Sequence, residues 1–130
     1  MSSTRIALFG DDRAVITVAT VLADHGQSVL LVGSHPEHLA KAEAMGFATA
    51  SIDYRDDAAL RQLGLGDRIG TLFGLYSSDA ENVFLSISTR AIAPELRIIC
   101  MIHHVDSAPK LIAAGANKII DPYEISGRKI

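Results

Sequence analysis

A single cysteine stands among the 130 residues, and no apolar run approaches the roughly 20 residues that a membrane-spanning helix needs. Cys100 lies inside the apolar run RIICMI; it has no partner for an internal disulfide and reads as a small buried hydrophobe rather than a nucleophile. The amino terminus, MSSTRIALFG, carries neither a basic segment followed by a long apolar stretch nor a small-residue cleavage site. Together these absences fit a reducing cytosol, while a tether to a membrane protein within a longer polypeptide stays open. No basic stretch is long enough to track a phosphate backbone and the formal charge is −3, so nucleic acid is not an expected partner. Linkers, low-complexity segments and short-period repeats are missing as well. With 48% hydrophobic residues the chain has enough apolar material for one continuous core, and a single domain over 1–130 is expected.

What is present is a regular alternation. The runs RIALFG (5–10), SVLLVG (28–33), FATASI (47–52), TLFGLY (71–76), RIICMI (97–102) and NKII (117–120) do not alternate with polar residues, which is the pattern of strands buried on both faces. Between them lie segments of helical spacing. The first, 13–25, places Val15, Val18, Ala19 and Leu22 on one face and stops at Gly26. The second opens on Ser34-His35-Pro36-Glu37, read as a capping box with Ser34 as cap, and ends at Gly46. A short third covers 56–63. The fourth repeats the capping pattern with Ser78 and Glu81 and runs to Ala93, before Pro94, and the fifth spans 107–114. Strict alternation with short connections predicts an α/β fold: a doubly wound, Rossmann-like parallel sheet of six strands, order 3-2-1-4-5-6, with helices on both faces.

In such sheets ligands sit beyond the carboxyl ends of the strands, near the switch point between strands 1 and 4. That directs attention to Gly10–Arg13, Gly33–His35, Ile52–Tyr54, and the loop Leu75–Ser78 with Ser77 in it. A phosphate-binding turn uses three glycines, for a tight turn, for close approach to the pyrophosphate and for helix-on-strand packing. Here Gly10 fills the first place, whereas Asp12 and Val15 hold the second and third. A carboxylate at Asp12 would stand where the diphosphate should lie, and Asp11 or Asp12 could itself cap the exposed amides. Arg13 partly offsets this, because a guanidinium in the first helical turn reaches a phosphate bidentately. At the second-strand tip the acidic residue that would hold ribose hydroxyls is replaced by Gly33, Ser34 and His35. Ser34 and His35 would tolerate a 2′-phosphate; the competing reading is a helix cap. Asp53 and Tyr54 could meet an adenine, and a plain loop aspartate ahead of the cap Asp56 explains the former equally well. His103, His104 and Asp106 suggest a metal site, but adjacent histidines at a strand end point to opposite faces and one site would struggle to use both, so solvated or cleft-lining histidines are expected instead. His35 and His38, three apart at a helix start, could face one way. No nucleophile, base and orienting acid are spaced as a catalytic triad.

The segment LYSSDAENVFLSISTRAIAPELRIICMI resembles strand 4, helix and strand 5 of the RCK N-terminal (TrkA-N) domain of potassium channels and transporters. The tail LIAAGANKIIDPYEISGRKI is similar to that family's GA-x-x-VI-x-P strand and SGR helix start, in the version found in ligand-gated prokaryotic channels. SIDYRDDAALRQLGLGDRIG matches a further family segment, with Ile52 in place of glycine but Asp53 and Asp56 retained. The resemblance implies a cytosolic regulatory domain at the cytoplasmic face of the cell membrane. Its partners would be a membrane-embedded potassium channel or transporter pore and other RCK domains, through self-association. The implied ligands are NAD(H) or an adenine nucleotide. Gly10 and Arg13 match the family's G-x-G-R-x-G turn and Asp53 its adenine-side aspartate, while Asp12, Val15 and Gly33 depart from it, so weakened or lost dinucleotide binding is expected. The calcium-binding carboxylates of gated relatives fall at Leu75, Met101 and His103, which implies no calcium site. The family continues beyond the position of Ile130 into a crossover helix that locks two domains together, so strong obligate dimerisation through that helix is not assumed here. The competing class is a small NAD(P)-binding oxidoreductase, which would need a substrate domain for which the chain leaves no room.

Overall fold

The computed structural model describes residues 5–10 and 13–121, and the carboxyl-terminal SGR motif and the pair Asp11-Asp12 lie outside the described residues. Six strands, β1 (Arg5–Phe9), β2 (Val29–Gly33), β3 (Ala48–Ser51), β4 (Ile69–Gly74), β5 (Arg97–Met101) and β6 (Lys118–Ile120), form one parallel sheet. Their order is β3-β2-β1-β4-β5-β6, as the alternation predicts. The crossovers carry α1 (Arg13–Asp24), α2 (Pro36–Ala44), α3 (Asp57–Gln62), α4 (Asp79–Ile92) and α5 (Ala108–Ala114).

Side chains alternate between two cores. Val15 and Ala19 of α1 and Ala42 of α2 pack with Leu8, Leu31 and Leu75 on one face. On the other, Leu60 of α3, Leu85 of α4 and Leu111 of α5 close over Phe9, Val32, Leu72, Ile98 and Cys100. Each of these large aliphatic side chains, once fully buried, contributes about 1.5–3 kcal/mol relative to exposure. Val18 and Leu22 complete the buried stripe of α1. The helix ends where Gly26 takes φ +81°, a left-handed conformation that costs a side-chain-bearing residue steric energy.

Two expectations are corrected. Not every strand is buried on both faces: β3, at the edge, is exposed at Ala48 and Ser51, because its outer side has no neighbouring strand and its residues are small. The cap of α2 is His35, not Ser34. A Ser34 cap would require His35 to be helical, and the ring of Pro36 pushes its predecessor into extended space; His35 has φ −99° and ψ 111° and its side chain makes no capping hydrogen bond. By contrast, Ser78 caps α4, accepting from the Glu81 amide at 3.4 Å, and Asp56 caps α3, accepting from the Ala59 amide at 3.2 Å. The far end of the sheet is tied by Arg90, whose guanidinium donates to the carbonyls of Gly115 (2.6 Å), Pro94 (2.7 Å) and Leu96 (2.7 Å) and to Asn117 Oδ1 (2.8 Å).

Candidate functional site

The crevice between β1 and β4 is set by backbone. Leu75 N–H donates to Phe9 O at 2.8 Å and Gly10 N–H to Val32 O at 3.2 Å, so the chain leaves β1 still attached to both neighbouring strands. A Cβ on Gly10 would stand 2.5 Å from Val15 Cγ2 and 3.1 Å from Leu75 O. The packing requirement that a third glycine would meet is met here by Gly10, which yields its side-chain space to Val15. Arg13 heads α1 and is exposed.

At the tip of β2, Gly33 is buried and its carbonyl accepts the Ile52 amide at 2.9 Å, while Ser34 and His35 are exposed. The rings of His35 and His38 lie 5.3 Å apart, so the pair does face one way. Beside them a groove of about 370 Å³ is lined by Arg13, Ile16, His38 and Lys41, one wall from α1 and one from α2. A smaller hollow, lined by Gly10, Val15 and Val32 among others, shares Ile16 and His38 with it.

Asp53, beyond β3, accepts from Arg55 three times: from Nε at 3.1 Å, from Nη2 at 3.0 Å and from the Arg55 amide at 2.9 Å. These hydrogen bonds hold its carboxyl below the usual aspartate range. The carboxylate assigned to the adenine side is thus already engaged by a neighbour. Tyr54 points its ring at Tyr76, 4.9 Å between centroids, and at Phe84, 5.7 Å away, so it packs toward α4. Ser77 is exposed in the loop between β4 and α4. The predicted residues therefore fall into two sets. Gly10, Arg13 and Gly33–His35 gather around the turn after β1 and the tip of β2, whereas Tyr54 packs on the β4–α4 side and Asp53 is tied to Arg55.

Two residues that sequence reasoning passed over shape the other side of the crevice. Asn82, fully buried on α4, donates from Nδ2 to Tyr76 O at 3.1 Å and to Met101 O at 3.0 Å, and accepts the Tyr76 amide at 3.1 Å. It joins the ends of β4 and β5. Asp79 accepts the amides of His103 (2.8 Å) and His104 (3.0 Å) and so fixes the chain after β5. Burial works against its charge, but the Ser107 hydroxyl and the two amides outweigh that and lower its pKa. The buried face of α4 is largely polar, Asn82 with Ser86 and Thr89 beside Leu85, while the apolar Phe84 and Ile87 are exposed, so apolar periodicity gave no signal for Asn82. His103 Nε2 lies 3.1 Å from Tyr76 O, while His104 is exposed. No group of three or more His, Cys, Asp or Glu placed to hold a metal occurs among the described residues. Cys100 is buried with its Sγ 3.2 Å from Ser86 Oγ, and burial pushes the thiol up. A further hollow, of about 540 Å³, opens at the opposite end of the sheet beside Arg5, Asp24, Val29 and Phe47.

This arrangement has counterparts. Residues 6–122 match the model of the TrkA-N domain. Potassium channel protein 1 of Methanocaldococcus jannaschii is 37% identical over 59 residues, 45% of this chain and 18% of that protein. Among solved structures, the NAD(P)-binding domain of an exopolyphosphatase-related protein from Archaeoglobus fulgidus superposes with a TM-score of 0.88 at 20% identity, covering 97% of this chain and 93% of that one. GsuK bound to ADP gives 0.84 at 22% identity over 98% of this chain and 34% of that one. The structural likenesses establish the fold; the channel match spans less than a fifth of its own protein. No helix among the described residues is long and apolar enough to cross a membrane. With nearly the whole described sheet inside the matched residues, the chain belongs to the TrkA-N domain family.

Proposed function

We propose that the chain is a regulatory, ligand-sensing module of a potassium channel or potassium transport system, acting from the cytoplasmic face of the membrane and without catalytic turnover. The observation that carries the reading is the family match across residues 6–122, with a potassium channel protein among the relatives. In this reading residues 1–130 form one domain that assembles with a membrane-embedded pore and with other RCK domains. An adenine nucleotide in the crevice is supported by the fold shared with a domain described as NAD(P)-binding and with a protein bound to ADP.

Dinucleotide affinity is weakened in this module. Asp12 and Val15 hold two glycine places, Gly33 stands where an acid would hold the ribose, and Asp53 is engaged by Arg55. Gly10 and Arg13 remain to orient a phosphate; Ser34, His35, Tyr54 and Ser77 edge the sugar and base sides. The test is rubidium uptake by cells of the source organism with the gene intact and deleted. Altered uptake that the restored chain reverses is the expected result, and unchanged uptake overturns the reading.

A further inference from the structure

The hollow of about 540 Å³ lies at the end of the sheet away from the Gly10 turn, where α1 and α2 finish and β1, β2 and β3 begin. Its apolar lining includes Ala23, Val29, Met45 and Phe47, and its charged lining is Arg5 and Asp24, one of each sign. Arg5 Nε donates to the Ser28 hydroxyl at 3.2 Å, and the two terminal nitrogens of the guanidinium have no partner among the described residues. The Asp24 carboxylate takes part in no hydrogen bond or ion pair among the described residues, so the two charges share one hollow without neutralising each other. Of the neighbouring titratable groups, His25 has its Nδ1 2.8 Å from Val21 O, and Glu43 accepts the Thr49 hydroxyl; neither is part of the lining. Met1 to Thr4, which precede Arg5 and lie outside the described residues, have uncharged side chains.

The helix ends decide which charges the hollow accepts. Both α1 and α2 reach it with their carboxyl ends, α1 without a basic residue in its last turn, and such ends carry partial negative charge. A simple anion would meet Asp24 and two negative helix ends, and a simple cation would meet Arg5. A molecule with both charges on a short frame sets each against its opposite, and an apolar side chain on the same frame covers the aliphatic and aromatic lining. We propose that the hollow binds a zwitterionic α-amino acid with an apolar side chain. Its carboxylate sits on the planar fork of Arg5, its ammonium on Asp24 and the end of α1, and its side chain on Val29, Met45 and Phe47. The volume is within the range of small-molecule sites. The inference does not rest on a nucleotide in the crevice; it gives the domain a second ligand at the opposite end of the sheet.

Titration of the intact chain, followed by calorimetry and by amide NMR shifts, tests it with L-leucine and three analogues that each lack one element: isocaproate without the ammonium, isoamylamine without the carboxylate, and glycine without the apolar side chain. Leucine is expected to bind at least about tenfold tighter than any of the three, the scale of one charge-assisted contact or one buried side chain. The shifts should centre on Gln27, Gly46 and Ala48. Asp24→Asn should weaken leucine about tenfold and leave isocaproate within about twofold, and Arg5→Gln should do the same for leucine and isoamylamine. Ala23→Phe, on an exposed helical position, fills the hollow and should abolish leucine binding while the urea midpoint stays that of the parent. No leucine binding up to about 10 mM, isocaproate or isoamylamine binding as tightly as leucine, affinity unchanged by Asp24→Asn and Arg5→Gln, or shifts centred on Gly10 and Gly33 each overturn the proposal. Because the readout is binding alone, a chain that failed to alter rubidium uptake would leave it standing.

Discussion

Val15 Cγ2 occupies space that a Cβ on Gly10 would need, 2.5 Å from its ideal position, so the turn after β1 and the first buried residue of α1 are fitted to each other. Gly10→Ala should therefore cost about 1–3 kcal/mol through overpacking, read as a lowered urea midpoint with unchanged slope. Val15→Ala alone creates a void in a well-packed face, but in the double variant it should recover much of the Gly10→Ala loss. Additive costs in that cycle would show that the two positions are not coupled.

Asn82 is the second fitted element, and its removal leaves the Tyr76 amide and the Met101 carbonyl without their side-chain partner, while the Tyr76 carbonyl keeps only His103 Nε2. Asn82→Ala is expected to destabilise by about 2–4 kcal/mol, since buried polar groups left unpaired cost more than a made hydrogen bond contributes. Hydrogen exchange should quicken first at the Tyr76 amide. If the loss were confined to global stability with no local change there, the amide would be replaceable by packing alone.

Much of this architecture was legible in the chain because apolar runs and cap residues report local, short-range physics. Ser78 and Asp56 cap where their spacing says they should, and the buried face of α1 follows from its periodicity. Ser34 misled because a cap pattern was weighed without the restriction that Pro36 places on His35. The exposure of β3 could not be read from its composition, since it depends on which strand ends the sheet. Loop position alone singled out Gly10, Arg13 and Gly33–His35, which the fold places after β1, at the head of α1 and at the tip of β2. The partners that define their neighbours, Arg55 on Asp53 and Asn82 across β4 and β5, depend on side-chain direction in three dimensions.

Acid stability offers a third test. The Asp79 carboxylate, bonded by the amides of His103 and His104, has a pKa below the ordinary aspartate value of the unfolded chain. A depressed folded pKa means that its contribution is fully present above the unfolded value, about 3.9, and is lost as pH falls through the lower folded value. Asp79→Asn should lower stability at neutral pH and flatten the loss that the parent shows as pH falls below about 4. Asp53, on the surface with Arg55, shares the direction of shift, but its pair is screened; 1 M salt should erase its effect and leave that of Asp79. An acid limb unchanged by Asp79→Asn would remove Asp79 as its source.

Asp12 lies outside the described residues, but its place in the sequence, two after Gly10, is that of the glycine which lets a diphosphate approach the backbone. A carboxylate there opposes the ligand twice, by its bulk and by its charge, and Arg13 next to it offsets only the charge. Asp12→Gly should then tighten NAD⁺ and ADP by about tenfold, roughly 1.4 kcal/mol. For 2′-AMP, which carries no pyrophosphate, the gain should be much smaller. That contrast separates an obstructed turn from a general rise in flexibility, because added flexibility would change all three ligands alike. Asp12→Asn divides the cause further: it keeps most of the bulk and removes the charge, so an effect as large as that of glycine assigns the obstacle to electrostatics. Unchanged or weaker NAD⁺ binding by Asp12→Gly in calorimetry would clear the carboxylate and move the obstacle to Gly33 and the Arg55-bound Asp53.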